Sequence, residues 1–191
     1  MKYQKLLVIT AIVCLLMGAS VAAMATDIIC TDMGNPAEAV LINELVEGTV
    51  SVTGNCIIEN SVILGNVTAT LERNEVLVLL RSVVMGQVKV TGGSAAIDNN
   101  ILPGGSGGNR IVIKRIDNDT VVSDNLIQGP GNIVVRGSDL ESAIVAIYSN
   151  TVINGDIRCV GNVSQDTSGV DTDAFAYDNV VPAGVVTCFG Q

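Results

Sequence analysis

The sequence predicts an all-β chain wound into a parallel β-solenoid of about seven coils. First, a five-residue pattern (turn residue, any residue, Val or Ile, any residue, small or branched apolar) recurs seven times at steps of 17 to 29 residues. Self-similarity at such a period marks repeat architectures. Second, its runs of Val and Ile are broken by Gly, Asn and Asp every few positions, a strand-and-turn rhythm without helical periodicity. Third, the 191 residues are 48% hydrophobic yet include only 2 Phe, 3 Tyr and no Trp, so a core must be filled by aliphatic side chains.

The seven copies begin at Gly48, Gly65, Gly86, Asn109, Gly131, Gly155 and Gly184. Stacked coil on coil at roughly 4.8 Å, they would form a rod of about 34 Å. Their third residues, Val50, Val67, Val88, Ile111, Ile133, Ile157 and Val186, form one predicted inward stack. Two residues later come Val52, Ala69, Val90, Ile113, Val135, Cys159 and Cys188. A second register precedes each pattern: Asn60-Ser61-Val62, Arg81-Ser82-Val83, Asn99-Asn100-Ile101, Asp124-Asn125-Leu126, Ser149-Asn150-Thr151 and Asp178-Asn179-Val180.

The ends carry their own signals. Lys2 and Lys5, an apolar run from Leu6 to Leu16 and the small-x-small series Ala23-Met24-Ala25 read as a secretory leader over residues 1–25. The run is shorter than the roughly 20 residues a membrane span needs. No Leu-small-small series precedes Cys14, so lipid anchoring is not expected. A secreted, periplasmic or extracellular domain follows. Residues 26–47 are read as an N-terminal cap and first coil, with Asn35-Pro36-Ala37-Glu38 starting a short helical turn before a strand, and residues 48–191 as the solenoid. Losing Lys2 and Lys5 takes the net charge from −9 to −11, which disfavours nucleic acid and anionic membranes as partners.

Four cysteines remain after the leader, and export makes two disulfides the natural reading. Cys159 and Cys188 share an inward slot in consecutive coils, within disulfide reach, which leaves Cys30 and Cys56 to close the opposite end.

These repeats resemble the right-handed, single-stranded parallel β-helix family, the pectate-lyase-like superfamily, over roughly residues 40–191. Asn100, Asn125, Asn150 and Asn179 look like the asparagine ladder common at a tight turn of that family, with Ser61 and Ser82 interrupting it earlier in the chain. The resemblance implies a face on which an extended acidic polysaccharide could lie, and Lys89, Arg110, Lys114, Arg136 and Arg158 fall on outward slots of one predicted sheet. Members that cleave uronates use a basic proton abstractor and calcium. That implies Lys114 or Arg136 as base, with Asp156 as the one carboxylate beside them.

Composition narrows the chemistry. With no histidine, a Ser/His/Asp triad, a Cys/His dyad and histidine-ligated zinc are excluded. Inverting hydrolysis needs two converging carboxylates. Asp98, Asp117, Asp119 and Asp124 lie in consecutive coils but in turn-like contexts, and Asp166, Asp171 and Asp173 match no calcium-loop motif. No cofactor is expected, with calcium as the alternative. Tyr148 and Tyr177 occupy near-equivalent slots and are expected to stack, while Gly104 to Gly108 reads as an inter-coil loop. The favoured reading is a non-enzymatic structural or carbohydrate-binding surface module; the alternative is a polysaccharide lyase or glycoside hydrolase acting on acidic glycans.

Overall fold

A computed structural model describes residues 27–31, 40–103, 108–136, 144–160 and 174–188. The expected leader, Asn35 to Glu38, Gly104 to Gly107, Asp166, Asp171, Asp173 and Phe189 lie outside the described residues. Successive coils contribute short strands in turn to three sheets of eight, seven and six strands. The first coils hold β1 (Ile28–Thr31), β2 (Val40–Ile42) and β3 (Leu45–Val46), then β4 (Val50–Thr53), β5 (Cys56–Glu59) and β6 (Val62–Ile63). Next come β7 (Val67–Thr70), β8 (Val76–Leu80) and β9 (Val83–Val84), then β10 (Val88–Thr91), β11 (Ser94–Asp98) and β12 (Ile101–Leu102). The later coils hold β13 (Asn109–Lys114), β14 (Thr120–Ser123) and β15 (Leu126–Pro130), then β16 (Asn132–Arg136), β17 (Val145–Tyr148) and β18 (Thr151–Asn154). The chain ends with β19 (Ile157–Val160), β20 (Ala174–Tyr177) and β21 (Val186–Thr187).

The first sheet runs β1-β4-β7-β10-β13-β16-β19-β21, the second β2-β5-β8-β11-β14-β17-β20 and the third β18-β15-β12-β9-β6-β3. Each strand of the first sheet pairs in parallel with its equivalent one coil away. The chain is therefore a parallel β-solenoid. Val50, Val67, Val88, Ile111, Ile133, Ile157 and Val186 are successive register partners, as the repeat predicts. The first six are fully buried. One rung precedes the seven copies: Ile28 pairs with Val50 and Cys30 with Val52, and Asp27 Oδ1 accepts the Thr49 N–H at 2.7 Å.

Close stacking explains the glycines at the corner entering the first sheet. A Cβ on Gly86 would overlap the carbonyl oxygen of Gly65, and one on Gly155 would overlap that of Gly131. Only glycine lets the two backbones approach so closely.

The corner between the second and third sheets divides its labour between adjacent residues. The left-handed conformation belongs to Asn60, Arg81, Asn99, Asp124, Ser149 and Asp178, each one residue before the ladder position. The asparagines themselves carry the hydrogen bonds: Asn125 Nδ2 donates to Ile97 O at 2.8 Å and to Asn150 Oδ1 at 3.0 Å. Ser61 and Ser82 continue the ladder, contrary to the expected interruption. Ser61 N–H donates to Ser82 Oγ at 3.1 Å, and Ser82 N–H to Asn100 Oδ1 at 2.9 Å. A hydroxyl oxygen replaces the amide oxygen as acceptor.

The disulfides join Cys30 to Cys56 and Cys159 to Cys188, with Cα separations of 6.0 and 5.0 Å. The first ties β1 to the second sheet across a corner, and the second joins neighbouring coils. Both pairings are those predicted, and each fastens a terminal coil.

Candidate functional site

Strand alternation turns every second residue of the first sheet outward. In the later coils these positions become cationic around an apolar centre. Lys89 pairs in register with Val112, Val112 with Val134 and Val134 with Arg158. Two residues further along, Lys114 pairs with Arg136. Four cations therefore frame two valines on coils spaced about 4.8 Å apart. Val112 is 4% and Val134 1% exposed, Lys89 and Lys114 are half-buried, and Arg136 and Arg158 are exposed.

The charges on this face are unevenly compensated. Arg158 Nε donates to Asp156 Oδ2 at 2.9 Å, whereas Lys89, Lys114 and Arg136 have no ion-pair partner among the described residues. Lys114 and Arg136 stand directly opposite each other, and like charges so placed are destabilising in a sheet. They create a local positive field on a chain of net charge −9.

Asp156 is not on the strand face. It sits one residue before β19, where its Oδ1 accepts the Val185 N–H at 2.9 Å. That hydrogen bond, followed by the one from Arg158, holds the carboxyl below its ordinary value of 3.8. Asn66 and Asn132 do the same at the equivalent corner, accepting from Gln87 N–H and Asp156 N–H at 2.8 Å each. Asp156 thus belongs to a second, looser ladder of Asn and Asp side chains that sequence inspection missed. Its signal was the residue that follows each corner glycine.

Arg110 also departs from its predicted outward slot. Asn109 pairs with Asn132 and Ile111 with Ile133, so Arg110 is the extra residue of a β-bulge. Its side chain is 6% exposed, and Nη1 donates to the carbonyl oxygens of Met85 and Gly86 at 3.0 and 3.1 Å.

The remaining acidic candidates do not converge. Asp98 accepts a hydrogen bond from the Ser123 hydroxyl on the outer face of the second sheet. Asp117 accepts from Gly93 N–H at 3.1 Å and Asp119 from Ile144 N–H at 2.9 Å, both at the opposite corner. Asp124 is an exposed turn residue with φ 52°. Among the described residues no three His, Cys, Asp or Glu side chains gather as a metal site.

Tyr148 and Tyr177 are register partners in the second sheet and stack with ring centroids 5.2 Å apart and planes 11° apart. They lie away from the cationic face. Their sheet has a second property that the sequence reading missed: one outward column is apolar throughout, comprising Val40, Ile57, Val78, Ala96, Val121, Ala146 and Phe175. The signal was Val76 to Leu80, apolar at both strand parities.

The face on the first sheet can attract and orient anions. Its one adjacent carboxylate is engaged by Val185 and Arg158, so the described residues supply no pair of free carboxylates for hydrolysis there. Comparison of the chain with protein-family models, with curated proteins and with solved structures finds no match, and the parallel β-solenoid rests on the strand pairing itself.

Proposed function

We propose that this chain is an exported, non-enzymatic β-solenoid that binds an acidic polysaccharide or cell-surface glycan along its first sheet, through Lys89, Lys114, Arg136 and Arg158. The observation that carries the reading is the juxtaposition of Lys114 and Arg136 in register without an acidic partner among the described residues. A polymer bearing a carboxylate on every unit would relieve that repulsion, and successive coils offer it a regular row of contacts. The disulfides support a location outside the reducing cytoplasm. The solenoid and its asparagine ladder support kinship with the pectate-lyase-like superfamily, in which the same face can also serve catalysis.

Calorimetric titration of the chain with a uronate polymer and with a neutral glucan tests the proposal. Binding is expected for the uronate alone and should weaken as salt screens the charges. The double variant Lys114→Gln, Arg136→Gln should lose at least about tenfold in affinity, or ~1.4 kcal/mol. Salt-independent binding, or an unchanged affinity in the variant, would refute it. Release of unsaturated or reducing ends in the same mixture would instead establish the lyase or hydrolase reading.

A further inference from the structure

The bulge at Arg110 turns a guanidinium into the protein, and only part of it is satisfied there. Arginine carries five N–H donors and stays protonated under all ordinary conditions. The Nη1 group is occupied by the carbonyl oxygens of Met85 and Gly86. Nε and Nη2 are buried and have no hydrogen-bond acceptor among the described residues. The unsatisfied atoms therefore form one edge of the guanidinium, the edge that presents two parallel N–H groups to a carboxylate.

The charge is as unsatisfied as the hydrogen bonds. Among the described residues the ion pairs are Arg81 with Glu59 and Arg158 with Asp156, so no described carboxylate faces Arg110. Leaving a buried cation uncompensated is strongly destabilising, whereas a bidentate carboxylate answers both the charge and the donors. The neighbouring backbone is fitted to this side chain. Gly131 lies against its aliphatic stem, where a Cβ would overlap Arg110 Cγ, and Asn132 Nδ2 bonds to Asn109 Oδ1 at 3.2 Å beside the bulge.

The geometry points to a carboxylate-binding site at the bulge of β13, in which the Nε and Nη2 edge of Arg110 holds a planar oxyanion in two-point contact. This site is separate from the outer row of Lys89, Lys114, Arg136 and Arg158, and stands whether or not that row binds a polymer. Its donors are withdrawn from water, so it should prefer a small planar anion over a spherical one that meets a single N–H. The carboxylate can come from a free small acid or from a uronate unit of a bound chain.

The test follows the Arg110 Nε–H signal by nuclear magnetic resonance in the ¹⁵N-labelled full chain, freed of carboxylates by dialysis. Sodium formate, sodium chloride and a short uronate oligomer are titrated separately at constant ionic strength. The signal should move saturably with formate, with the uronate, or with both, and not with chloride. Formate alone identifies a small free acid as the source; the oligomer alone identifies a polymer carboxylate. Arg110→Lys keeps the charge but lacks the fork; followed in both chains through the backbone amide of Gly131, which lies against the side chain, it should bind at least about tenfold more weakly, equivalent to ~1.4 kcal/mol. If that variant fails to fold, the wild-type titration decides. The variant Lys114→Gln, Arg136→Gln should leave the formate response unchanged, which separates this site from the outer row. An Arg110 signal indifferent to both carboxylates, or displaced equally by chloride, overturns the proposal.

Discussion

The early and late coils share one backbone plan but differ in what they place at the same positions. In the early coils the turn ladder is built from Ser61 and Ser82, and the outer positions of the first sheet are Ser51, Thr53, Thr68 and Thr70. In the late coils the ladder is Asn100, Asn125, Asn150 and Asn179, and the outer positions are Lys114, Arg136 and the buried Val112 and Val134. Val50 to Thr53 alternate regularly between buried and exposed, whereas Arg110 to Ile113 are buried without a break. Inward columns and corner glycines fix the coil. Outward columns vary without disturbing it, and it is there that the late coils acquire their charge.

The ladder gives the largest expected difference. Asn125 joins three coils: it donates to Ile97 O and Asn150 Oδ1, and its own Oδ1 accepts from the backbone and side-chain N–H groups of Asn100 at 3.1 and 3.0 Å. The Ser82 hydroxyl donates to Leu80 O of its own coil, at 2.8 Å, while accepting from Ser61 N–H. Asn125→Ala strands two buried donors and should cost about 4 kcal/mol, against about 1.5 kcal/mol for Ser82→Ala. Denaturant unfolding of the two variants measures both. Equal losses would mean that the change from Ser to Asn carries no energetic meaning.

Next in size are the two end bridges. They close segments with sequence separations of 26 and 29, for which chain entropy gives a stabilisation of about 3.5 kcal/mol each. Cys30 and Cys56 are each 1% exposed, whereas Cys159 and Cys188 are half-buried in the last coils. Replacing each pair by alanine should therefore destabilise the early end more, because lost burial adds to lost constraint. Amide exchange should show the C159A/C188A defect confined to β19 and β21. Loss of protection reaching β4 would instead make the solenoid one cooperative unit.

Much of this was legible because a solenoid repeats its instructions. The inward column from Val50 to Val186 and both disulfides follow from aligning the copies, since parallel stacking turns sequence period into spatial adjacency. Arg110 was misplaced because a one-residue bulge is invisible in a pattern that fixes only apolar positions; the extra residue changes which way that side chain turns. Which residue of this turn is left-handed is not legible, since Asn99 and Asn100 are equally suited to it; the structure gives Asn99 the positive φ and Asn100 the ladder hydrogen bonds. Of the basic face, Lys89, Lys114, Arg136 and Arg158 were visible as alternate residues. The absence of acid opposite Lys114 and Arg136 was not, because it depends on neighbours in other coils.

The smallest effect concerns Asp156, the carboxylate that ends the looser ladder. Its neighbours at that corner, Asn66 and Asn132, accept an N–H from the next coil as amides. Asp156→Asn should preserve the bond to Val185 and lose only the ion pair with exposed Arg158, so stability near pH 7 should hardly change. The two chains should separate in acid. The folded-state pKa of Asp156 lies below its ordinary 3.8, so its contribution is complete above that value and fades as pH falls through the depressed one. The stability gap between wild type and Asp156→Asn should therefore shift against the wild type as acid protonates the folded carboxyl. A gap constant from pH 7 to pH 2 would show that the charge does nothing here that an amide does not.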